Sequence, residues 1–469
     1  MSKKLLLAAA SAAVLLNVSP ALAASDADFE ALKAEIQSMR SAYEGKIEQL
    51  EQKVETLSTQ QNQAAAQATA PVATQAANVA PAAGEEGVFV NPERPATTQR
   101  RIKDSSFNPA IGVVLNGKYN SFSENEGDIA GFAIGEEGER GGEGFGIDET
   151  ELNLSASVDD KFRGSATLAV LEEEGETVVE IEETYIATTA LPYGIEAKAG
   201  RFFTELGYLN SHHTHTDDFA DRPLTNRAFL DNNYGDDGIQ VSAVLPTPIY
   251  SEIGGGIFRG DDFPGGGAEG SDIGAWTAYG RVGGDFGDKT SWRVGLSTLQ
   301  ADDVSRDTEE GEVNFSGDSS LYIADARATY APTGNNAEQE IILQGEYFYR
   351  DEDGTYDPDT TDAIDGVDYD DGQSGWYAQG VYKFHPQWRA GARFSQLYAG
   401  DVPAGLVGSA LDDEGHNPWS ATAMMDWSNG EFARIRAQYS REEVADGQGD
   451  NQLTLQYIMS LGAHGAHPF

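Results

Sequence analysis

The last nineteen residues, Asn451 to Phe469, read NQLTLQYIMSLGAHGAHPF. Leu453, Leu455, Tyr457, Met459 and Leu461 fall on one side of an extended chain, and Gln452, Thr454, Gln456, Ile458 and Ser460 on the other. Alternation of that length predicts a strand whose two faces meet two different solvents. A sheet closed on itself, apolar outside and polar inside, satisfies that demand. An edge strand of a soluble sandwich also alternates, but it rarely finishes on an aromatic residue such as Phe469.

The totals agree with a barrel. The chain has 469 residues, no Cys, 53 Gly and 19 Tyr, and only 39 % of it is hydrophobic. Length alone suggests two or three domains. No apolar run reaches the roughly 20 residues of a membrane-spanning helix, whereas a barrel needs only alternate residues to be apolar. Without Cys there is no disulfide framework and no thiolate metal site. A net charge of −46 argues against nucleic-acid binding and favours cations.

The N-terminal part divides by composition. Residues 1–23 read as an export signal: Lys3 and Lys4, an apolar run from Leu5 to Leu16, and a small-residue cleavage site at Ala21-Leu22-Ala23. Its removal takes Lys3 and Lys4 away and moves the charge from −46 to −48. Residues 26–58 carry Phe29, Leu32, Ile36, Met39, Tyr43, Ile47, Leu50, Val54 and Leu57 at steps of three and four, a coiled-coil seam with one stutter. So narrow a stripe is marginal on a lone helix and is expected to self-associate; a single amphipathic helix on the barrel mouth is the alternative. Residues 59–105 are rich in Ala, Gln, Thr and Pro and read as a low-complexity linker. Arg100, Arg101 and Lys103 sit just before the barrel, where they meet lipid headgroups or a pore mouth.

Residues 106–469 read as the barrel. Strands are expected at 109–121, 147–158, 161–171, 177–189, 194–203, 238–245, 250–259, 274–286, 290–300, 319–330, 339–350, 374–385, 387–398, 418–428, 431–441 and 451–461. That is about sixteen, the even number that bacterial barrels use. Tight links, such as Asp159-Asp160 and Asn429-Gly430, alternate with long ones. All six Trp (276, 292, 376, 388, 419 and 427) lie at or near expected strand ends, where an apolar ring meets headgroups.

The connection from 204 to 237 differs from the rest. It carries His212, His213 and His215, three of the seven His, then Asp217, Asp218, Asp221 and Arg222. On its G-R-F-F…H-x-H…F-x-D-R-P-L run and the FRGDDFPGG segment from Phe258, the chain resembles plug-less, coiled-coil-bearing outer-membrane porins tied to siderophore or metal uptake. It is similar there to zinc-regulated outer-membrane receptor-like proteins, and in layout to phosphate-selective porins, whose Lys-rich loop it lacks. The resemblance implies an antiparallel transmembrane β-barrel of about sixteen strands behind a helical coiled coil. It implies a third loop folded into the lumen as a constriction, trimers held through a periplasmic coiled coil, and Phe469 as insertion signal. The implied partners are outer-membrane lipid, lipopolysaccharide and the barrel assembly machinery, in a Gram-negative outer membrane.

Imidazole beside carboxylate suits Zn²⁺ and similar divalent ions, so His213, His215 and Asp217 form one candidate ligand set. The competing reading is that these side chains pin the loop to the wall by hydrogen bonds. A transported ion must also leave, so only transient binding is expected and no resident cofactor. By alternation, Arg163, Arg281, Arg293, Arg327, Arg389, Arg393, Arg434 and Arg436 point inward, as do Glu149, Glu151, Glu180, Glu182, Glu196 and Glu346. Arginines facing the loop acids would set a transverse field across the lumen; the plainer alternative is a set of solvated residues pairing among themselves. The outer loops are acidic and draw cations to the mouth. Asp351-Glu352-Asp353-Gly354 with Asp357 and Asp359 imitates part of a calcium loop without its closing Glu, and is expected to be a solvated loop tip.

No enzyme motif stands: H-E-x-x-H, G-x-x-x-x-G-K and G-x-S-x-G are absent, and Gly265, Gly267 and Gly270 lack a strand–helix setting. The sequence therefore predicts a non-enzymatic passive channel for small polar or charged solutes, divalent ions or metal–siderophore complexes among them. The alternative is a surface receptor or adhesin without an open channel.

Overall fold

The computed structural model describes residues 109–124, 128–173, 176–266, 273–307, 313–358, 366–430 and 432–462. The expected signal, coiled coil, linker, basic cluster Arg100–Arg101–Lys103 and Phe469 lie outside the described residues.

Sixteen strands form one closed antiparallel sheet in which each pairs with its sequence neighbours. In order they are β1 (Ala110–Phe122), β2 (Gly144–Ser157), β3 (Phe162–Glu173), β4 (Glu176–Thr188), β5 (Ile195–Phe203), β6 (Gly235–Val244), β7 (Tyr250–Phe258) and β8 (Ala275–Phe286). Then come β9 (Thr290–Asp307), β10 (Asn314–Tyr330), β11 (Glu340–Asp357), β12 (Val367–His385), β13 (Trp388–Tyr398), β14 (Trp419–Gly430), β15 (Ala433–Ala445) and β16 (Gln448–Gly462). Closure is made by β1 on β16, with a continuous register from Gly112↔Gly462 to Phe122↔Gln452. No edge is left to hydrogen-bond, which is the condition for a sheet to stand in hydrocarbon.

The surface is inverted relative to a soluble protein. On β16, Leu453, Leu455, Tyr457 and Leu461 are exposed, while Gln452, Gln456 and Ser460 are buried. The same holds around the ring: Ile111, Ile147, Ile181, Ile239, Ile253, Leu296 and Leu343 are all more than half exposed or close to it. A band of that kind is stable only where the outer solvent is lipid. Among the described residues no helix is long and apolar enough to cross a membrane; the strands do so. The long connections 204–234, 259–274 and 399–418 leave from one end, with 123–143, and the links at the other end are short.

Two expectations are corrected. Strands β9 to β12 run well beyond the predicted spans, so residues 351–357 are paired strand rather than a loop tip. An extended chain cannot wrap a calcium ion, which removes the calcium-loop reading there. The apolar-outward pattern stops on these extensions: Asp351 and Asp353 face out, while Glu352, paired with Arg306 at 2.7 Å, is buried inside together with Phe315, Tyr356 and Tyr369. For the same reason Trp376 is mid-strand, since β12 begins at Val367.

The interior is not uniformly wet either. Ile129, Phe132 and Ile134 from the first loop, the short helix α1 (Leu224–Leu230), and Leu406 and Leu411 pack with Leu299, Leu321, Ile323 and Phe348 of the strands. Phe229 stacks on Phe348 at 5.7 Å and meets Phe132 edge-on at 5.6 Å. Long loops thus bring their own apolar residues inside the ring.

Candidate functional site

The segment between β5 and β6 begins with a clip. Asn210 Nδ2 donates to the carbonyls of Thr204 and Tyr234, and its Oδ1 accepts from Tyr234 N at 2.6 Å. The amide satisfies both ends of the loop at once, so the excursion leaves and returns at one point. Next, Gly207 N donates to Ser297 Oγ at 2.9 Å, and Tyr208 N and Leu209 N donate to the Glu346 carboxylate at 3.0 and 3.1 Å. Gly207 has φ +62, and a Cβ there would stand 1.9 Å from Glu346 Oε2. Glycine is therefore required for this approach. The Tyr208 ring meets the guanidinium groups of Arg293 and Arg327, at 4.7 and 4.6 Å, and stacks on His212.

Two single turns of 3₁₀ helix follow, Leu209–Ser211 and Thr214–Thr216. They bring His213, Thr214 and His215 to one wall. His213 meets Glu151 at 3.4 Å and Glu182 at 3.1 Å through Nδ1, and Glu183 at 3.2 Å through Nε2. His215 Nδ1 lies 2.6 Å from Glu151 Oε1, and Thr214 donates to Glu149. This is the wall of β2 and β4.

Beyond Thr216 the segment turns to β13–β15. Asp218 pairs with Arg389 at 2.7 Å, and Asp221 with Arg393 at 2.7 Å. Arg436 and Arg434 donate to the Asp217 carbonyl at 2.7 and 3.3 Å. Arg389 is held in turn by Asp426 at 2.6 Å. Helix α1 then packs on β11–β13, with Arg227 on Glu442 at 3.1 Å. A segment that touches β2, β4, β9, β11 and β13–β15 of one closed ring must cross its interior.

The predicted residues are thus sorted by wall. His213 and His215 come together on Glu151, with ring centroids 5.8 Å apart. Asp217 does not join them: its carboxylate pairs with Arg222 at 2.5 Å, because the turn ending at Thr216 points it away. The set His213–His215–Asp217 is therefore corrected. His212 also stands apart, its Nδ1 donating to the Tyr208 carbonyl at 2.8 Å. Arg389 and Arg393 touch the loop acids directly instead of facing them across a gap. Arg281 pairs Glu205 at 2.7 Å and Glu252 at 3.1 Å, Arg293 pairs Asp325 at 3.3 Å, and Arg327 donates to Gln344. Arg163 and Glu196 pair with each other at 3.5 Å, away from the loop.

Simple alternation missed Glu183. A bulge in β4 sets Thr167 opposite Glu183 and Leu168 opposite Ile181, leaving Glu182 extra. Both acids then reach the inside, where strict alternation allows one. A similar irregularity between Val114 and Asn116 brings Asp148 and Glu149 in together.

Electrostatics follow the sorting. Burial opposes a charge on His213, but Glu151 and Glu182 overcome it and hold its pKa well above the ordinary value. His212 goes the other way: burial, then Arg293 and Arg222, push it down to about 3. Burial raises Asp217 to about 6 against the pull of Arg222. Beside the segment lies a cavity of about 1340 Å³, lined by Lys118, Glu149, Glu180, Glu182, Asp221 and Arg222 among others. Its charges are of both signs.

No protein-family model matches the chain. A protein of Aquifex aeolicus described as uncharacterized is 28% identical over 401 residues, covering 78% of this chain and 81% of that one. Among solved structures, the outer membrane channel DcaP of Acinetobacter baumannii is similar at 11% identity and TM-score 0.46, covering 76% of this chain and 97% of that one. The anion-selective porin from Comamonas acidovorans is similar at 10% identity and TM-score 0.47, covering 76% and 99%. Pseudomonas putida OprB is similar at 12% and 0.47, covering 76% and 94%. By its own closure and its apolar outer band, the chain is a sixteen-stranded transmembrane β-barrel with a segment laid across its interior.

Proposed function

We propose that this barrel is an outer-membrane porin, a passive aqueous channel for small polar or charged solutes. The supporting observation is the inner wall itself, which carries ionisable side chains and a cavity of about 1340 Å³ beside the crossing segment. Water-filled barrels tolerate such walls, and rows of charge there set selectivity. The constriction is formed by His212, His213, His215, Asp217, Asp218, Asp221 and Arg222 against the Arg and Glu walls. Divalent ions and metal–siderophore complexes belong to the expected solute class, and assembly as a homotrimer through residues 26–58 belongs to the same reading. The test is single-channel recording of the purified chain in a planar bilayer. Discrete open steps are expected; a silent bilayer with correctly folded protein would reject the pore.

A second reading, a surface receptor or adhesin, is favoured by the loops folded inside and by Arg350 and Arg436, which are fully buried within the ring. It predicts that silent bilayer, with ligand capture at the acidic outer loops.

A further inference from the structure

We propose that Glu151, Glu182 and His213 bind one divalent cation of the zinc class, which latches the crossing segment to β2 and β4. The inference rests on the placement of that segment against the wall and not on solute passage. One ligand atom from each of the three residues lies within 4.8 Å of the other two. His213 Nδ1 is 3.1 Å from Glu182 Oε2 and 3.4 Å from Glu151 Oε1. Ligands about 2.0–2.1 Å from a tetrahedral ion stand about 3.3–3.4 Å from one another. The gaps are those that an ion would fill after a small adjustment.

The surroundings have the form that metal sites use. His213 Nε2 faces Glu183 at 3.2 Å, and a ligating His commonly donates its other N–H to a carboxylate. That leaves Nδ1 directed at the two carboxylate oxygens, where either its own proton or a cation in the proton's place bridges the three groups. Glu151 is fully buried; its Oε1 takes His215 Nδ1 at 2.6 Å, and its Oε2 has no hydrogen-bond partner. Glu149, Glu151, Glu182 and Glu183 together crowd negative charge into one place, with Lys198 3.6 Å from Glu183. A route in exists, because Glu182 and Thr214 also line the cavity. The chemistry is imidazole plus hard oxygen in a three-ligand set, which suits Zn²⁺ with a water in the fourth place.

The experiment uses the folded full chain, stripped with chelator and titrated with zinc chloride by calorimetry. One site per chain is expected, lost in both His213→Gln and Glu182→Gln. Glu182→Gln alters a partly open side chain, so it keeps a folded test available if His213→Gln misfolds. His215→Ala, which removes only a support of Glu151, should weaken binding roughly 10–100-fold. Zinc should also slow proteolytic cutting within 204–234, and chelator should restore it. Absence of zinc binding overturns the site, and so does binding unchanged in both variants, which would place the ion on other histidines. Binding without any change in proteolysis overturns the latch. Zinc binding by a chain that is silent in bilayers would reject the porin and keep the site; conductance without zinc binding does the reverse.

Discussion

At the scale of single residues, the interior is governed by which charges are paired. Glu205 leaves β5 and meets Arg281 at 2.7 Å. Burial opposes its ionisation, but Arg281, then Lys198 and Arg293, hold its carboxyl down at about 2, against 4.5 for an ordinary Glu. A depressed acid contributes stability that is present above pH 4.5 and is lost as pH falls through about 2. Glu205→Gln should therefore lower stability to urea unfolding by about 1–3 kcal/mol at pH 7. The difference should shrink below pH 4 and vanish near pH 2. A deficit constant with pH would mean that the variant lost packing and not a charge. Arg281, Arg389, Arg393 and Arg436 were readable from alternation; Arg306 and Arg350 were not, since one lies past the expected end of β9 and the other at the expected end of β11. Glu183 was not, since a bulge adds one residue to the count and no local pattern marks it. The partners of His213 were unreadable for the same reason, as two of the three acids around it stand at that bulge.

At the scale of elements, strands and crossing segment were legible to different degrees. The sixteen strands follow from a period of two wherever one face meets lipid. Their outer extensions on β9–β12 did not, because polar and acidic residues replace the outward apolar ones there. The His-rich segment stood out by composition, yet its path depends on contacts far apart in sequence: Glu346 on one side and Arg393 on another. Gly207 is the tightest of these. Gly207→Ala would push Glu346 away and release the Tyr208 and Leu209 amides, so the 204–234 segment should become open to protease while the barrel stays heat-modifiable on gels. An uncut segment would show that the Glu346 clamp is dispensable. Helix α1 depends on Phe229, buried between Phe132 and Phe348. Phe229→Ala should cost about 3–5 kcal/mol if the cavity does not collapse. A loss below 1 kcal/mol in urea unfolding would mean that water already reaches this cluster.

At the scale of the whole molecule, about half of the net charge of −46 lies on the connections at the end from which the long loops leave, and most of the rest on the strands. The loop 399–418 holds Asp401, Asp412, Asp413 and Glu414 with no Lys or Arg. Several of these carboxylates also shape the turn: Asp412 accepts from Glu414 N at 3.0 Å, and Asp413 from Gly415 N at 2.9 Å. Asn and Gln keep those acceptors, so the triple change Asp412→Asn, Asp413→Asn and Glu414→Gln removes charge and leaves the turn. A potential at the mouth concentrates cations within a Debye length, about 10 Å at 0.1 M salt and about 3 Å at 1 M. If solutes enter past this loop, the triple variant should show a smaller cation preference than the parent in reversal potentials near 0.1 M. Near 1 M the two should coincide, because the field no longer reaches the entrance. Equal selectivity at both salt concentrations would assign ion choice to the crossing segment, where Asp218–Arg389 and Asp221–Arg393 sit too close to be screened.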